Sequence, residues 1–207
     1  MPFTQEQFLN IFKAYNTAVF PFQFLILAGA LACLLLIIEK KSYSNGAIAL
    51  YLSFLWGWIG IVYHLIFFTR INGAAYFFGI LNIIQSIIFF YFGFIKKRLE
   101  FKKKKDFRSI TGFAIIIYAL FIYPSLGYLG GHGYPYQPTF GLPCPTTIFT
   151  FGILLFTGLK LKWYIYAIPL LWSIIGVSAA FNFGIYEDIG LLVSGIAASV
   201  LLFTFKD

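Results

Sequence analysis

The chain has 207 residues, of which 60% are hydrophobic, 22% are aromatic and only 11% are charged, and its formal net charge is +8. A soluble domain usually carries about 25% charged residues. The composition therefore excludes an ordinary soluble enzyme and predicts a membrane protein. No hydrophilic stretch is long enough for a separate soluble domain, so residues 1–207 are expected to form a single transmembrane domain.

The first sixteen residues, MPFTQEQFLNIFKAYN, predict a short helix. Thr4 and Gln7 have the spacing of a capping box, and Phe8, Phe12 and Tyr15 then fall near one face of the helix. The segment lacks the basic start and apolar core of a signal peptide. We interpret residues 1–16 as an interfacial helix that lies on the bilayer, and the alternative is a lid over a binding site.

Charge-free apolar runs follow, and several of them reach the roughly 20 residues that cross a bilayer. They predict an all-α polytopic transmembrane bundle over residues 17–205, with helices at approximately 17–38, 46–68, 73–95, 109–128, 145–161, 163–183 and 188–205. The fifth helix is short, because its charge-free part, 146–159, is only about 21 Å long at 1.5 Å per residue. In the alternative topology this helix is re-entrant, which leaves six spans and moves Glu187 to the cytoplasm.

The basic residues predict the orientation of the bundle. Every lysine and arginine except Lys13 and Arg70 falls on one side of the predicted bundle, and short cytoplasmic loops are enriched in these residues. The N-terminus is therefore expected outside and the C-terminus in the cytoplasm. We interpret the densest group, KKRLEFKKKKDFR at 96–108, as a cytoplasmic anchor, with contact to anionic membrane lipid as the alternative. Nucleic acid is not an expected partner, because the cluster lies directly between two spans.

The stretch GHGYPYQPTFGLPCPTTIFT, residues 131–150, interrupts the apolar pattern with glycines and prolines. Proline breaks a continuous helix, and the predicted topology places this stretch outside, between the fourth and fifth helices. Because the fifth helix is short, its outer end is expected to lie below the membrane surface, with the loop folding down to meet it. Non-helical backbone at that depth needs protein or a water-filled cavity around it. Residues 130–146 are therefore predicted to form an outward-facing pocket.

Polar residues predicted near this pocket are the candidate binding residues. Cys144 is expected at the start of the fifth helix, where the helix dipole favours a thiolate, although a small buried packing residue is an equally simple interpretation. Glu187 and Asp188 are expected either to cap the last helix or to pair with Arg70. The full set of candidates is His64, His132, Tyr134, Cys144, Thr146, Thr147, Glu187 and Asp188.

Zinc accepts cysteine, histidine and carboxylate ligands, but the sequence has no closely spaced ligand pair such as HxxxH or CxxC. No metal site is therefore predicted. Cys33 and Cys144 are expected at different depths and are not predicted to form a disulfide. The sequence identifies no cofactor, solute or oligomeric state.

These features favour a small-solute or ion permease, or a solute-binding protein, with an outward-facing pocket. A helix N-terminus beside a polar, partly buried space suits anions or small polar solutes. One alternative is a membrane-embedded enzyme, with or without a metal, that acts on a lipid or an envelope precursor through Cys144 or through His64, His132 and Glu187. Another is a structural subunit of a membrane complex.

Four phrases carry a resemblance to a known family: MPFTQEQFLNIFKAYN, YHLIFFTRINGAAYFFG, GHGYPYQPTFGLPCPTTIFT and SAAFNFGIYEDIGLLVSG. With them the chain resembles, over nearly its whole length, a bacterial multi-pass membrane family that is catalogued as a domain of unknown function. The resemblance implies a protein of the bacterial inner membrane and carries over no catalytic or binding residue. All four phrases map to the predicted outer half of the bundle.

Overall fold

The computed structural model describes residues 2–157 and 161–204, and these form an all-α bundle. The ten α-helical segments of the described residues are α1 Gln5–Val19, α2 Phe22–Glu39, α3 Ser44–Trp58, α4 Ala75–Ile88, α5 Phe107–Ile117, α6 Tyr123–Leu129, α7 Pro143–Leu154, α8 Ala167–Gly176, α9 Ser178–Phe183 and α10 Ile189–Thr204. No β-strand occurs in this part of the chain.

Three of the helices continue without a break into π-helical turns. These turns are Ile59–Phe67 after α3, Phe89–Ile95 after α4 and Tyr118–Ile122 between α5 and α6. With them, five helices are long and apolar enough to cross a membrane: Phe22–Glu39, Ser44–Arg70, Ala75–Ile95, Phe107–Leu129 and Tyr186–Phe203. Two shorter apolar helices are Pro143–Leu154 and Ala167–Phe183. This architecture is compatible with a membrane protein, as the composition predicts.

The connections between the helices gather at two opposite ends of the bundle. At one end, which we call the basic end, the turn at 40–45, the segment 96–105 and residues 155–157 meet. There the Phe101 amide donates to Asn45 Oδ1 at 2.9 Å, and the Lys102 amide donates to the Phe156 carbonyl at 2.8 Å. At the other end, the loop end, α1 meets the turn at 68–74, the loop 130–142 and residues 184–188.

Helix α7 forms the centre of the bundle. All of its residues are buried except Cys144, which is partly exposed, and it packs against α5, α8 and α10. Its contact with α5 is close because Gly112 and Gly152 face each other, and a Cβ on either one would lie 2.9 Å from the carbonyl oxygen of the other. A helix that is apolar all round is expected in such a central position.

Helix α7 also differs most from the predicted helix 145–161. It begins at Pro143 and ends at Leu154, so its twelve residues are only about 18 Å long. Proline suits the first turn of a helix, which explains the early start. The helix nevertheless runs from the loop end to the basic end, where Thr157 pairs with Phe101. This course differs from the re-entrant alternative, while the number of membrane crossings stays a prediction.

Two other predicted helices also have different bounds. The predicted helix 17–38 begins only at Phe22, because α1 continues to Val19. The predicted helix 163–183 is divided into a short 3₁₀ turn, Trp163–Ile165, and the two helices α8 and α9, which meet at Val177. Residues 158–160 at the end of the predicted fifth helix, including Lys160, and residue 205 at the end of the predicted last helix lie outside the described residues, as does Lys206.

Helix α1 has the predicted capping box and apolar face, but the bundle covers that face. Thr4 Oγ1 accepts from the Gln7 amide at 3.2 Å, and Gln7 Oε1 accepts from the Thr4 amide at 2.9 Å. The side chains that share the apolar face, Phe8, Ile11, Phe12, Tyr15 and Val19, are all buried. The apolar face of the helix therefore rests on protein, which is compatible with the lid alternative, while its position at the membrane surface stays a prediction.

Candidate functional site

A cavity of about 220 Å³ lies at the loop end beneath α1. Aromatic rings from well-separated parts of the chain form most of its wall: Phe3, Phe8, Phe12, Tyr63, Phe68, Phe78, Trp172 and Phe183. Cys144 and Asp188 are its ionisable groups besides Tyr63, and the loop contributes Pro138 and Leu142. A recess therefore lies at this end of the bundle, while an outward-facing pocket formed by residues 130–146 and its depth in a membrane stay predictions.

Helix α1 and the preceding Phe3 cover the cavity through ring contacts and two hydrogen bonds of Tyr15. The ring centroids of Phe8 and Phe183 are 4.9 Å apart, and those of Phe3 and Phe183 are 5.1 Å apart. Trp58 Nε1 donates to Tyr15 Oη at 2.8 Å, and the Tyr15 hydroxyl donates to the Gly141 carbonyl at 3.3 Å. Burial raises the pKa of Tyr15, so the phenol keeps the proton with which it holds the loop.

The loop is fixed to α1 and to the first turn of α7. Asn16 Nδ2 donates to the carbonyl oxygens of Pro135 at 2.7 Å and Gln137 at 2.9 Å. Gly141 has a φ of +100°, which favours glycine, and its amide donates to Thr146 Oγ1 at 3.2 Å. Thr146 thus shapes the loop and does not line the cavity.

The polar part of the cavity wall is formed by Asp188, Cys144 and Trp172. Tyr123 Oη donates to Asp188 Oδ1 at 2.6 Å, and the Cys144 thiol is close enough to hydrogen-bond to the same carboxyl group. Trp172 Nε1 and Cys144 Sγ lie side by side, since a Cβ on Gly176 would be 3.3 Å from the first and 3.5 Å from the second. The indole N–H is buried, and the group beside it is the Cys144 sulfur, which is a weak acceptor.

His132 and Glu187 form a buried pair next to the cavity. His132 Nε2 lies 2.9 Å from Glu187 Oε1, and Tyr118 Oη donates to the Glu187 carbonyl at 2.8 Å. The hydrogen bond to Glu187 raises the pKa of His132, while burial acts in the opposite direction. The pair ties the loop to the turn that carries Asp188, and neither member lines the cavity.

The contacts of the two acids differ from both predicted roles. Their side chains bond to side chains of other segments, Glu187 to His132 and Asp188 to Tyr123, instead of capping the last helix. Arg70 does not pair with either acid. Its Nε donates to the Ile66 carbonyl at 3.1 Å, and its guanidinium carbon lies 4.8 Å from the centroid of the Phe67 ring.

His64 is fully buried and lies behind the cavity wall. Its nearest ring centroids are those of Tyr63 and Trp172, each 5.1 Å away. Neither ring nitrogen of His64 has a hydrogen-bond partner among the described residues. The histidine therefore does not reach the cavity, although its aromatic neighbours do.

The remaining candidates also lie away from the cavity. Tyr134 is 52% exposed and lines a separate groove with Gln23 and Tyr123. Thr147 is buried, and its Oγ1 has no hydrogen-bond partner in the described part of the chain. Of the eight candidates, Cys144 and Asp188 line the cavity. The described residues contain no group of three or more His, Cys, Asp or Glu that could hold a metal ion.

Sequence reasoning missed Trp172, Tyr63 and the phenylalanines of the cavity wall. The chain has 27 phenylalanines and 14 tyrosines, so an aromatic residue in a span does not by itself indicate a site. The buried partner of Asp188, Tyr123, was missed for the same reason. A detectable signal was the aromatic face of α1, since its residues follow helical spacing outside the spans.

Comparison with known proteins gives a family but no described relative. A family model for a family of unknown function, DUF6064, matches residues 5–206. No curated protein and no solved structure matches the chain. The match covers nearly the whole sequence, as the resemblance of the four phrases implies. The chain belongs to the DUF6064 family.

Proposed function

We propose that the protein binds a small solute in the cavity beneath α1 and acts as a permease or solute-binding protein of the bacterial inner membrane. The observation that carries this proposal is the partly open cavity of about 220 Å³ with aromatic walls and a polar patch at Asp188, Cys144 and Trp172. Ligand sites are commonly concave and mostly apolar, with a few placed polar groups that orient the ligand.

Two features favour a binding site over a packing defect. The wall is assembled from α1, the loop and five further helical segments. Two of these parts, α1 and the loop, are held by specific hydrogen bonds. The indole N–H of Trp172 is buried at the wall, with only the weak Cys144 sulfur beside it among the described residues. Buried polar groups are nearly always satisfied, and an exception is explained by a water or a ligand that completes it.

The inner-membrane location and the orientation rest on the basic end. Leu99 and Phe101 anchor the segment 96–105 in the core, while its exposed basic side chains surround them. Cytoplasmic loops carry such an excess of lysine and arginine. We place the basic end in the cytoplasm and the cavity on the outer side.

We also propose anionic membrane lipid as a partner of the basic end. The exposed basic side chains of this segment are Lys96, Lys97, Arg98, Lys102, Lys103 and Lys105. Basic residues next to a membrane surface attract anionic headgroups by about 1 kcal/mol each. Lipid analysis of the purified protein tests this proposal, and replacing Lys102, Lys103 and Lys105 with glutamine should lower the amount of co-purified anionic lipid.

The binding proposal is tested by thermal unfolding of the detergent-purified protein with small neutral, anionic and cationic solutes. A ligand at 100 times its Kd stabilises a folded protein by about 2.7 kcal/mol and raises its Tm. Ala179→Leu, which places a larger side chain on the cavity wall, should abolish the shift. Ala197→Leu, on α10 and away from the cavity, is the matched control. Uptake of the solute into proteoliposomes then separates a permease from a binding protein.

The proposal fails if no solute raises the Tm of the wild-type protein, or if Ala179→Leu and Ala197→Leu respond to the solute equally. The alternative of a thiol enzyme has one observation in its favour, the Cys144 thiol in the cavity wall. Activated cysteines usually lie in electropositive surroundings, whereas Cys144 lies beside the carboxyl group of Asp188. Binding is therefore the function that the geometry supports best.

A further inference from the structure

The described wall of the cavity contains an acidic residue and no basic residue. Asp188 is its only carboxylate, and no lysine, arginine or histidine lies among its described lining residues. The rest of the wall is dominated by aromatic rings, and the face of an aromatic ring attracts cations. An anion would meet a carboxylate and ring faces, so the anionic solutes expected from a helix N-terminus alone are a poor match for this wall.

Asp188 itself has no cationic partner among the described residues. It is 1% exposed, and its hydrogen-bond partners are the Tyr123 hydroxyl and the Cys144 thiol. The neighbouring cations have other partners: His132 pairs with Glu187, Lys13 Nζ donates to Tyr136 Oη at 3.0 Å, and Arg70 lies over Phe67. A buried carboxylate needs a cationic partner, and the described residues offer Asp188 none, so this carboxyl group can pair with a cation that enters from outside the chain.

We propose that the ligand of the cavity is a small organic cation, an amine or a quaternary ammonium, whose charge lies between Asp188 and the aromatic wall. This inference rests on the proposed binding function and names its ligand class. Trp172 contributes the strongest cation-binding ring face. Its N–H, which has the weak Cys144 sulfur beside it, is a donor that suits an oxygen of the same ligand. An ammonium group with a nearby hydroxyl or carbonyl oxygen fits both features.

The decisive comparison is between choline and its uncharged isostere 3,3-dimethylbutan-1-ol, which have nearly the same shape and hydroxyl group. Binding of each to the full-length protein in detergent is measured by isothermal titration calorimetry. Choline should bind at least about tenfold more tightly, because a desolvated cation–π contact alone contributes about 2 kcal/mol or more. Acetate serves as the small anion and is expected not to bind.

Variants of the cavity wall test which side chains distinguish the cationic ligand from its uncharged isostere. Asp188→Asn should lower choline affinity more than affinity for the isostere and so reduce the preference for choline, while the aromatic rings keep part of it. Trp172→Leu should lower choline affinity at least about tenfold if the ring face contributes as expected, and it serves as the second variant should Asp188→Asn fail to fold. Phe181→Leu, which removes a 76% exposed ring from α9 outside the cavity, is the matched control and should bind choline as the wild type does.

The outcomes separate the two proposals. Three results overturn the organic-cation ligand and leave the binding function standing. They are equal affinity for choline and the isostere, binding of a neutral or anionic solute without choline, and a choline preference that is undiminished in every folded variant of Asp188 and Trp172. If no neutral, anionic or cationic solute binds in the calorimetric experiment or raises the Tm, the binding function is overturned as well.

Discussion

Among single residues, Trp56 and Thr150 show how the apolar centre of the bundle accommodates polar groups. Both side chains are fully buried, and Trp56 Nε1 donates to Thr150 Oγ1 at 3.0 Å. The Thr150 hydroxyl in turn donates to the Thr146 carbonyl at 2.8 Å. These bonds link α3 to the central helix α7.

Thr150→Val is expected to lower the free energy of unfolding by about 1–3 kcal/mol, because it keeps the side-chain shape and leaves the indole N–H of Trp56 buried without an acceptor. Thr147→Val is the matched control on the same helix, since Thr147 Oγ1 has no partner among the described residues, and it should be neutral or stabilising. Denaturant unfolding in detergent measures both. Equal losses in the two variants would contradict the role of the Trp56–Thr150 bond.

The buried pair of His132 and Glu187 makes stability depend on pH. The Glu187 hydrogen bond raises the pKa of His132 above its ordinary value of 6.5. The stabilisation from this shift is therefore fully present below pH 6.5 and is lost as the pH rises through the higher folded-state pKa. Titratable groups near the pair are Asp188, whose charge acts on His132 in the same direction, and Tyr118.

His132→Gln should cost about 1.5–3 kcal/mol of unfolding free energy at pH 6, the contribution of a hydrogen bond to a charged group. The difference from the wild type should be smaller at pH 9 than at pH 6, because the stabilisation is lost as the pH rises through the raised pKa of His132. Unfolding at both pH values checks this, with Tyr128→Leu on exposed surface as a control. A difference that grows with pH would contradict the direction of the pKa shift.

At the residue scale, the sequence predicted the positions of Cys144 and Asp188 but not that of His64. The first two lie at helix starts at the same end of the bundle, so the topology alone brings them together. His64 lies in the π-helical segment Ile59–Phe67. A π-turn carries more residues than an α-turn and rotates the following side chains around the axis, so regular α-helical spacing could not place this histidine.

Among the helices, α1 has a separate role because it covers the cavity without being part of the long apolar bundle. Phe8 and Phe12 lie one turn apart and both line the cavity. Phe8 is 9% exposed although it is near the chain start. Access to Cys144 should therefore depend on whether α1 remains in place.

Phe8→Ala is expected to increase the rate at which a maleimide alkylates Cys144 by at least about tenfold, since 1.4 kcal/mol of weaker packing raises the open population tenfold. The experiment uses Cys33→Ala protein, in which Cys144 is the sole cysteine. Asn10→Ala on the exposed face of α1 is the matched control. The role of α1 as a lid is contradicted if Phe8→Ala and Asn10→Ala react at the same rate.

At the element scale, prediction succeeded where length and apolar pattern suffice. The helices expected at 46–68, 73–95 and 109–128 agree with Ser44–Arg70, Ala75–Ile95 and Phe107–Leu129 to within two residues at each end. It failed for α7 because an apolar run does not show where a helix stops within a protein core. Leu155, Phe156 and Thr157 are buried after the helix has ended, and their burial is a tertiary effect.

In the whole molecule, alternate connections lie at opposite ends, as the distribution of basic residues predicts. The basic end joins the first and third connections, and the loop end joins α1 with the second and fourth connections. This alternation of the connections between the two ends follows from the sequence, because each long apolar helix carries the chain from one end of the bundle to the other. The cavity could be expected at the loop end, but its aromatic wall depends on how seven segments pack together.

The orientation of this arrangement in a membrane can be tested with single cysteines in a protein that lacks Cys33 and Cys144. Glu6→Cys, on the exposed face of α1, should react with a membrane-impermeant maleimide in intact bacterial cells whose outer membrane has been permeabilised. Lys103→Cys, at the basic end, should react only after the inner membrane is also opened, because lysine-rich loops stay in the cytoplasm. The reverse pattern would place the cavity inside, and labelling of both positions in intact cells would contradict a bundle that separates its two ends across the membrane.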